Sequence, residues 1–272
     1  MKKLIRGLRE FKSSYFSTHE ELFEQLSHGQ KPRVLFITCS DSRIDPNLIT
    51  QAGLGELFVI RNAGNIIPPF GATNGGEGAT IEYAIQALDI QQIIVCGHSH
   101  CGAMKGLMKL DSLRVEMPLV HDWLKYAEAT RRLVKDNYSD YEGEELLDII
   151  IAENVLTQIE NLRTYPVIRS KLYQGKLSIY AWVYQIEAGE VLVYDPQQHA
   201  YVLLQNQLPP SEIDERLLNP PLTSNVEIHS SKTQQQTYQL PREVPSSEHE
   251  WFPMTVLSPE QMERIYRGST TK

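Results

Sequence analysis

Three short runs in this chain are apolar at every position: Val34-Leu35-Phe36-Ile37, Leu57-Phe58-Val59-Ile60 and Ile93-Ile94-Val95-Cys96. A strand with one wet face alternates polar and apolar residues. A run without alternation reads as a strand covered on both sides, the habit of parallel sheets sandwiched by helices. Each run also ends on residues that carry chemistry. The first leads into Cys39-Ser40-Asp41-Ser42-Arg43, the second into Arg61-Asn62, and the third into His98 and Cys101. Open α/β sheets bind ligands beyond the carboxyl ends of their strands, so the pattern predicts that Cys39, His98 and Cys101 meet in one crevice.

The remaining elements fit around that sheet. Leu4, Leu8, Phe11 and Tyr15, then Leu22, Phe23 and Leu26, fall at helical spacing and predict two helices, split near Ser17 and ended by Gly29, laid as an arm over the core. A helix from Thr80 to Leu88 is entered through Gly75-Gly76-Glu77-Gly78, and another starts near Gly102. Helices are expected from Met117 to about Lys135, from about Glu144 to Leu162, and from Val167 to Leu172. Leu177 to Ile186 reads as a strand that pairs with Val191 to Tyr194 across a turn at Ala188-Gly189. The fold class is therefore α/β, a Rossmann-like, mostly parallel central sheet flanked by helices. The expected divisions are an N-terminal helical arm (1–29), a catalytic domain (30–205) and an extended C-terminal tail (206–272).

Composition narrows the function. The net charge is -8 and no Lys or Arg cluster exceeds a pair, which removes the electrostatic footprint of a nucleic-acid binder. Arg6, Arg9, Glu10 and Lys12 interrupt any signal-like apolar region, and no stretch reaches the roughly 20 apolar residues of a membrane helix. A cytoplasmic protein is expected, with neither nucleic acid nor membrane as partner. Its three cysteines form no disulfide framework, and Cys96, inside an apolar run, reads as a buried core thiol. Eight of the 15 prolines lie beyond residue 204, together with Gln234-Gln235-Gln236, so the tail is expected to be largely irregular. Within it, residues 251–266 form an aromatic and apolar island around Trp251-Phe252-Pro253-Met254, suited either to docking a partner or to packing on the chain's own oligomer.

Two thiolates and one imidazole fill three tetrahedral positions on Zn2+ and leave the fourth open, as catalytic zinc sites do. Such an ion lowers the pKa of bound water toward 7. Asp41 is placed to accept a proton from that water, and Arg43 to hold Asp41 off the metal through a bidentate pair. A closed structural site with Asp41 as fourth ligand is disfavoured, because structural zinc takes Cys and His.

Four ordered blocks, Cys39-Ser-Asp-Ser-Arg43, Gly55-Glu-Leu-Phe-Val-Ile-Arg-Asn-Ala63, Ile81-Glu-Tyr-Ala84 and Gly97-His-Ser-His-Cys-Gly102, resemble the β-class carbonic anhydrases. The resemblance runs from about Gln30 to Tyr194. It implies reversible hydration of CO2 to bicarbonate by zinc-bound hydroxide, with Cys39, His98 and Cys101 as ligands and Asp41 and Arg43 as the orienting and gating pair. It also implies substrate contacts from Gln30, reaching a neighbouring subunit's pocket, from Phe58, Ala63 and Tyr83 as pocket lining, and from the backbone N–H of Gly102. A homo-oligomer built from dimers follows by the same likeness. The long tail resembles that of cyanobacterial carboxysomal forms, which implies recruitment to a carboxysome through a scaffold protein, where the enzyme supplies CO2 from bicarbonate.

One branch of the family binds bicarbonate at an inhibitory site with an Arg and a Tyr, matched by Arg61 and Tyr184, and a Trp where this chain has Phe36. That departure implies the open form, with Asp41 off the metal at neutral pH. His100 replaces a smaller residue and reads as a polar rim group or a proton carrier. The rival readings are a zinc-stabilised scaffold without catalysis and a hydrolase of another linear cumulene such as carbon disulfide.

Overall fold

The computed structural model describes residues 1–73, 75–204 and 238–239. Apart from residues 238–239, the tail expected at 206–272, including the island at 251–266, lies outside the described residues. One sheet organises the rest. Strands β1 (Val34–Cys39), β2 (Leu57–Asn62), β3 (Gln92–His98) and β4 (Ser178–Gln185) are parallel, in the order β2-β1-β3-β4. Antiparallel β5 (Glu190–Asp195), β6 (Ala200–Leu203) and the two-residue β7 (Tyr238–Gln239) extend it beyond β4. The unalternating runs are explained by this placement. Leu35, Phe36 and Ile37 on β1 and Ile93 and Val95 on β3 have no exposed surface, and burying each such side chain contributes about 1.5–3 kcal/mol.

The helices follow in chain order: α1 (Lys2–Glu10), α2 (Glu20–Ser27), α3 (Pro46–Thr50), α4 (Gly76–Gln86), α5 (Gly102–Met108), α6 (Leu110–Glu116), α7 (Pro118–Leu124), α8 (Glu128–Asn137), α9 (Gly143–Arg163) and α10 (Pro166–Tyr173). The expected helix over Met117–Lys135 is interrupted by a 3₁₀ turn at Lys125–Ala127. Side chains three apart eclipse in such a turn, which lets Leu124 and Ala127 both bury completely. The segment beginning at Gly102 likewise breaks at Lys109, between α5 and α6. Sequence reading passed over α3, although Asp45 accepts the Leu48 N–H as its cap and Pro46 opens it. It also passed over β6.

The arm departs from expectation in its packing. A π-helical turn at Phe11–Phe16 joins α1 toward α2, and none of these three segments has a buried residue. Leu4 and Leu8 remain 67% and 69% exposed, so the apolar stripe does not lie over this chain's own core. Ring contacts of Phe23 with Phe11, Tyr15 and Phe16 hold the arm together internally.

On the other side, α9 packs against β3 so closely that a Cβ at Gly97 would stand 2.9 Å from Val155 and 3.2 Å from Ile151. Glycine there lets helix and strand approach just before the β3 carboxyl end. The chain order reverses between β1 and β3, and a crevice opens where such strands part.

Candidate active site

Cys39 closes β1, His98 closes β3, and Cys101 caps the start of α5. All three are buried, and their ligand atoms lie within 4.8 Å of one another. His98 Nδ1 is 2.9 Å from the Ser99 carbonyl, so a neutral imidazole donates there and carries its lone pair on Nε2. That Nε2 is buried without a hydrogen-bond partner. Leaving a buried polar atom unpaired costs about 1–3 kcal/mol, a cost a cation at this point removes.

The sulfurs point to the same conclusion. A hydrogen bond from the Cys101 thiol lowers the Cys39 pKa to about 4, with the backbone of Gly64 and Asp41 assisting against burial. The same contact and burial push Cys101 well above the usual thiol range, against N–H groups of Met104 and Ala103 at the start of α5. One proton thus holds two sulfurs together. A divalent cation in its place meets two thiolates and an imidazole lone pair, the donor set of zinc.

Asp41 stands at the open side, its Oδ2 3.9 Å from His98 Nε2. Arg43 engages both of its oxygens, Nε donating to Oδ1 at 2.9 Å and a terminal nitrogen to Oδ2 at 2.8 Å, and the Arg43 backbone N–H adds a third bond at 3.0 Å. Those bonds hold the carboxyl well below the usual carboxylate range. Arg43 is itself anchored on the His100 carbonyl at 3.2 Å. This role of His100 was missed in the sequence; its left-handed backbone (φ 55°) turns the carbonyl toward Arg43, while its ring lies 3.2 Å from Glu144 and 3.5 Å from Glu187. Glu187 in turn accepts from Ser99 Oγ at 2.7 Å.

Arg61, matched in sequence to the arginine of an inhibitory bicarbonate site, is engaged with the backbone after β1. Its guanidinium donates to the carbonyls of Cys39, Asp41 and Ile44 at 2.7–3.0 Å, tying down the turn that carries the first ligand. Phe36 is fully buried and meets Trp182 edge to face, with ring centres 6.0 Å apart.

The residues expected to contact substrate divide by location. Ala63 lies one residue past β2, beside Cys39 at the strand ends, and Trp123 Nε1 donates to its carbonyl at 2.8 Å. Gly102 is the first residue of α5, next to Cys101. Phe58 pairs with Leu35, four positions before Cys39 along the register, roughly 13 Å at 3.3 Å per residue. Tyr83 joins Phe58 there, ring centres 6.1 Å apart. Gln30 precedes β1 altogether. A single chain therefore brings Cys39, Asp41, Arg43, Ala63, His98, Cys101 and Gly102 together and leaves Gln30, Phe58 and Tyr83 at the other end of the strands.

The comparisons with known proteins agree with this geometry. A family model described as carbonic anhydrase matches residues 34–191. A carbonic anhydrase of Synechocystis sp. is 56% identical over 99% of this chain and all of its own length, and one of Synechococcus elongatus is 56% identical over the whole of both. The solved structure of the β-carbonic anhydrase CcaA, 66% identical, covers 75% of this chain and 98% of its own with a TM-score of 0.74. A tetrameric β-carbonic anhydrase of the ascomycete Sordaria macrospora, 27% identical, covers 71% and 95% with a TM-score of 0.64. Fold, ligand cluster and relatives converge, and the chain belongs to the carbonic anhydrase family as a β-class enzyme of cyanobacterial type.

Proposed function

We propose that this β-carbonic anhydrase hydrates CO2 with a single Zn2+ held by Cys39, His98 and Cys101. The observation that carries the reading is the unpartnered Nε2 of His98 buried between two sulfurs, beside a carboxylate kept in reserve by Arg43. When bound, zinc supplies hydroxide near neutral pH by lowering the pKa of water. Asp41, its carboxylate kept ionised by Arg43, would accept a hydrogen bond from that hydroxide and so orient it toward CO2. The reverse reaction uses the same contacts on bicarbonate. While Arg43 keeps both carboxylate oxygens, Asp41 stays off the metal and the open form prevails. Ala63 and the Gly102 N–H border the pocket from this chain.

Gln30, Phe58 and Tyr83 complete a neighbouring subunit's pocket. Their support is position: Tyr83 is half exposed at 51% beside Phe58, distant from this chain's own cysteines, and the arm offers its uncovered stripe to a second copy. A homo-oligomer built from dimers satisfies both. The tail, with residues 251–266 as its docking segment, delivers the enzyme to a carboxysome through a scaffold protein. Its support is that the two cyanobacterial relatives align over essentially the whole chain, whereas a Pseudomonas aeruginosa carbonic anhydrase covers only 75% of it while spanning 92% of its own length.

Metal analysis joined to stopped-flow CO2 hydration tests the catalytic reading. About one zinc per chain with rapid hydration is expected; a metal-loaded protein without hydration leaves the scaffold reading standing. Deleting residues 206–272 should preserve hydration and disperse the protein in the cell, and unchanged localisation overturns the recruitment.

A further inference from the structure

The mechanism leaves a row of buried amides on α9 without a task. Asn154 and Gln158 have no exposed surface, although the face they share packs on the apolar core. With Asn161 they recur at helical spacing, and their bonds beyond α9 go to one loop, residues 63–68 after β2, apart from one that Asn154 Oδ1 accepts from Thr130 Oγ1 at 3.4 Å. Asn154 Nδ2 donates to the Gly64 carbonyl at 3.0 Å. Gln158 Oε1 accepts the Ile67 N–H at 2.8 Å, and Asn161 Nδ2 donates to the Ile67 carbonyl at 2.8 Å. The amides also orient one another: Gln158 Nε2 donates to Asn154 Oδ1 at 2.8 Å and Asn161 Nδ2 to Gln158 Oε1 at 3.1 Å. Each amide is thereby locked in one orientation.

The loop they hold has a shape that it does not adopt unaided. Gly64 and Asn65 are both left-handed, at φ 82° and 46°, a conformation that costs a non-glycine residue about 1–3 kcal/mol unless its surroundings impose it. A Cβ at Gly64 would stand 2.8 Å from Met104 and 3.0 Å from Ala103, so backbone there lies directly over the start of α5. The consequence is that the Gly64 N–H points at Cys39 Sγ, 3.4 Å away. An N–H on a thiolate stabilises its charge and fixes its direction, as outer contacts of metal ligands do.

We propose that Asn154, Gln158 and Asn161 are positioning residues whose shared task is to present the Gly64 N–H to the Cys39 sulfur, and so to set how tightly the centre holds its metal. The inference rests on the zinc reading above. Gln158 is central, since it bonds the loop and both neighbouring amides.

The test uses the full-length zinc-loaded enzyme, with Gln158→Met as a variant of similar shape and Leu162→Ala, also fully buried on α9, as a control of comparable stability loss. Two quantities are read: zinc release to a chelator, and amide hydrogen exchange at Gly64. Gln158→Met should release zinc about tenfold faster, the loss expected from one hydrogen bond of about 1.4 kcal/mol. It should also raise exchange at Gly64, an amide that Gln158 does not touch. Leu162→Ala should change neither. The milder Asn161→Ala, only partly buried, should move both in the same direction by less, and reads the effect alone if Gln158→Met fails to fold. Wild-type release rates and Gly64 exchange in both amide variants, or equal acceleration in Leu162→Ala, overturn the proposal. A wild-type protein that takes up no zinc overturns the metal reading instead, and Gly64 exchange still reports on the loop.

Discussion

The two ends of the parallel sheet are built on opposite principles. At the carboxyl end, Asp41, Arg43 and Arg61 are engaged by residues of the same chain, and the loops after β1 and β2 are held by carbonyl and amide contacts. At the amino end and along the β2 edge, Gln30, Val59 and Tyr83 lie exposed, with the uncovered stripe of the arm nearby in sequence. One end is preorganised for chemistry by its own fold; the other presents exposed apolar and amide surface, the surface proposed above to meet a second copy.

Substitutions at each end should separate in size and in kind. Cys39→Ala removes a metal ligand; zinc content should fall to near zero and CO2 hydration to the uncatalysed background, a loss of about six orders of magnitude. Undiminished hydration would break the whole assignment. Asp41→Ala should keep its zinc while hydration falls about 10²-fold or more, the usual worth of a positioned proton acceptor; zinc analysis beside stopped-flow rates checks it. Gln30→Ala, at the opposite end, should leave zinc untouched and lower kcat/KM roughly tenfold, as for one lost substrate hydrogen bond. A wild-type rate in an intact oligomer would show that this end is structural only.

The smallest effect is expected away from both ends, at Tyr201 on β6. Its hydroxyl donates to the Ala152 carbonyl at 2.9 Å, and burial raises its pKa well above the ordinary tyrosine range. Below about pH 10 the phenol is neutral in folded and unfolded chains alike, so it adds no pH dependence. Above that, the unfolded chain ionises and the folded one resists, so stability falls as pH rises, by at most about 1.4 kcal/mol per pH unit for this one group until the folded phenol also ionises. Tyr201→Phe should flatten that alkaline slope in denaturant titrations between pH 9 and 11.5 without altering hydration. An unchanged slope would assign the alkaline loss to other groups, such as Tyr165, whose pKa burial also raises.

The uneven legibility of the sequence follows the same division. The strands that carry ligands were readable because burial on both faces removes alternation, as at Leu35 to Ile37. The long α9 and the β4–β5 hairpin were readable because their periodicity or turn residues are local. What escaped depends on groups far apart in the chain. Nothing local marks Arg61 as a clasp on the 39–44 carbonyls, the His100 carbonyl as an acceptor for Arg43, or Asn154 and Gln158 as supports of a loop about 90 residues earlier. An amide in a helix reads as a solvated residue until the fold shows what covers it. The break between α7 and α8 was hidden for a related reason: a 3₁₀ turn carries nearly the same apolar spacing as the α-helices it joins.

By itself, the sequence determined the layered α/β architecture and the identity of the donor set, because hydrophobic periodicity and ligand chemistry are properties of residue type and short spacing. Only the tertiary structure decided that His98 keeps an unpaired nitrogen buried beside two sulfurs, and that Phe58 and Tyr83 stand together toward the end of the strands away from Cys39. Those outcomes turn on distance and direction between strands remote in sequence, which the order β2-β1-β3-β4 sets and no local pattern encodes.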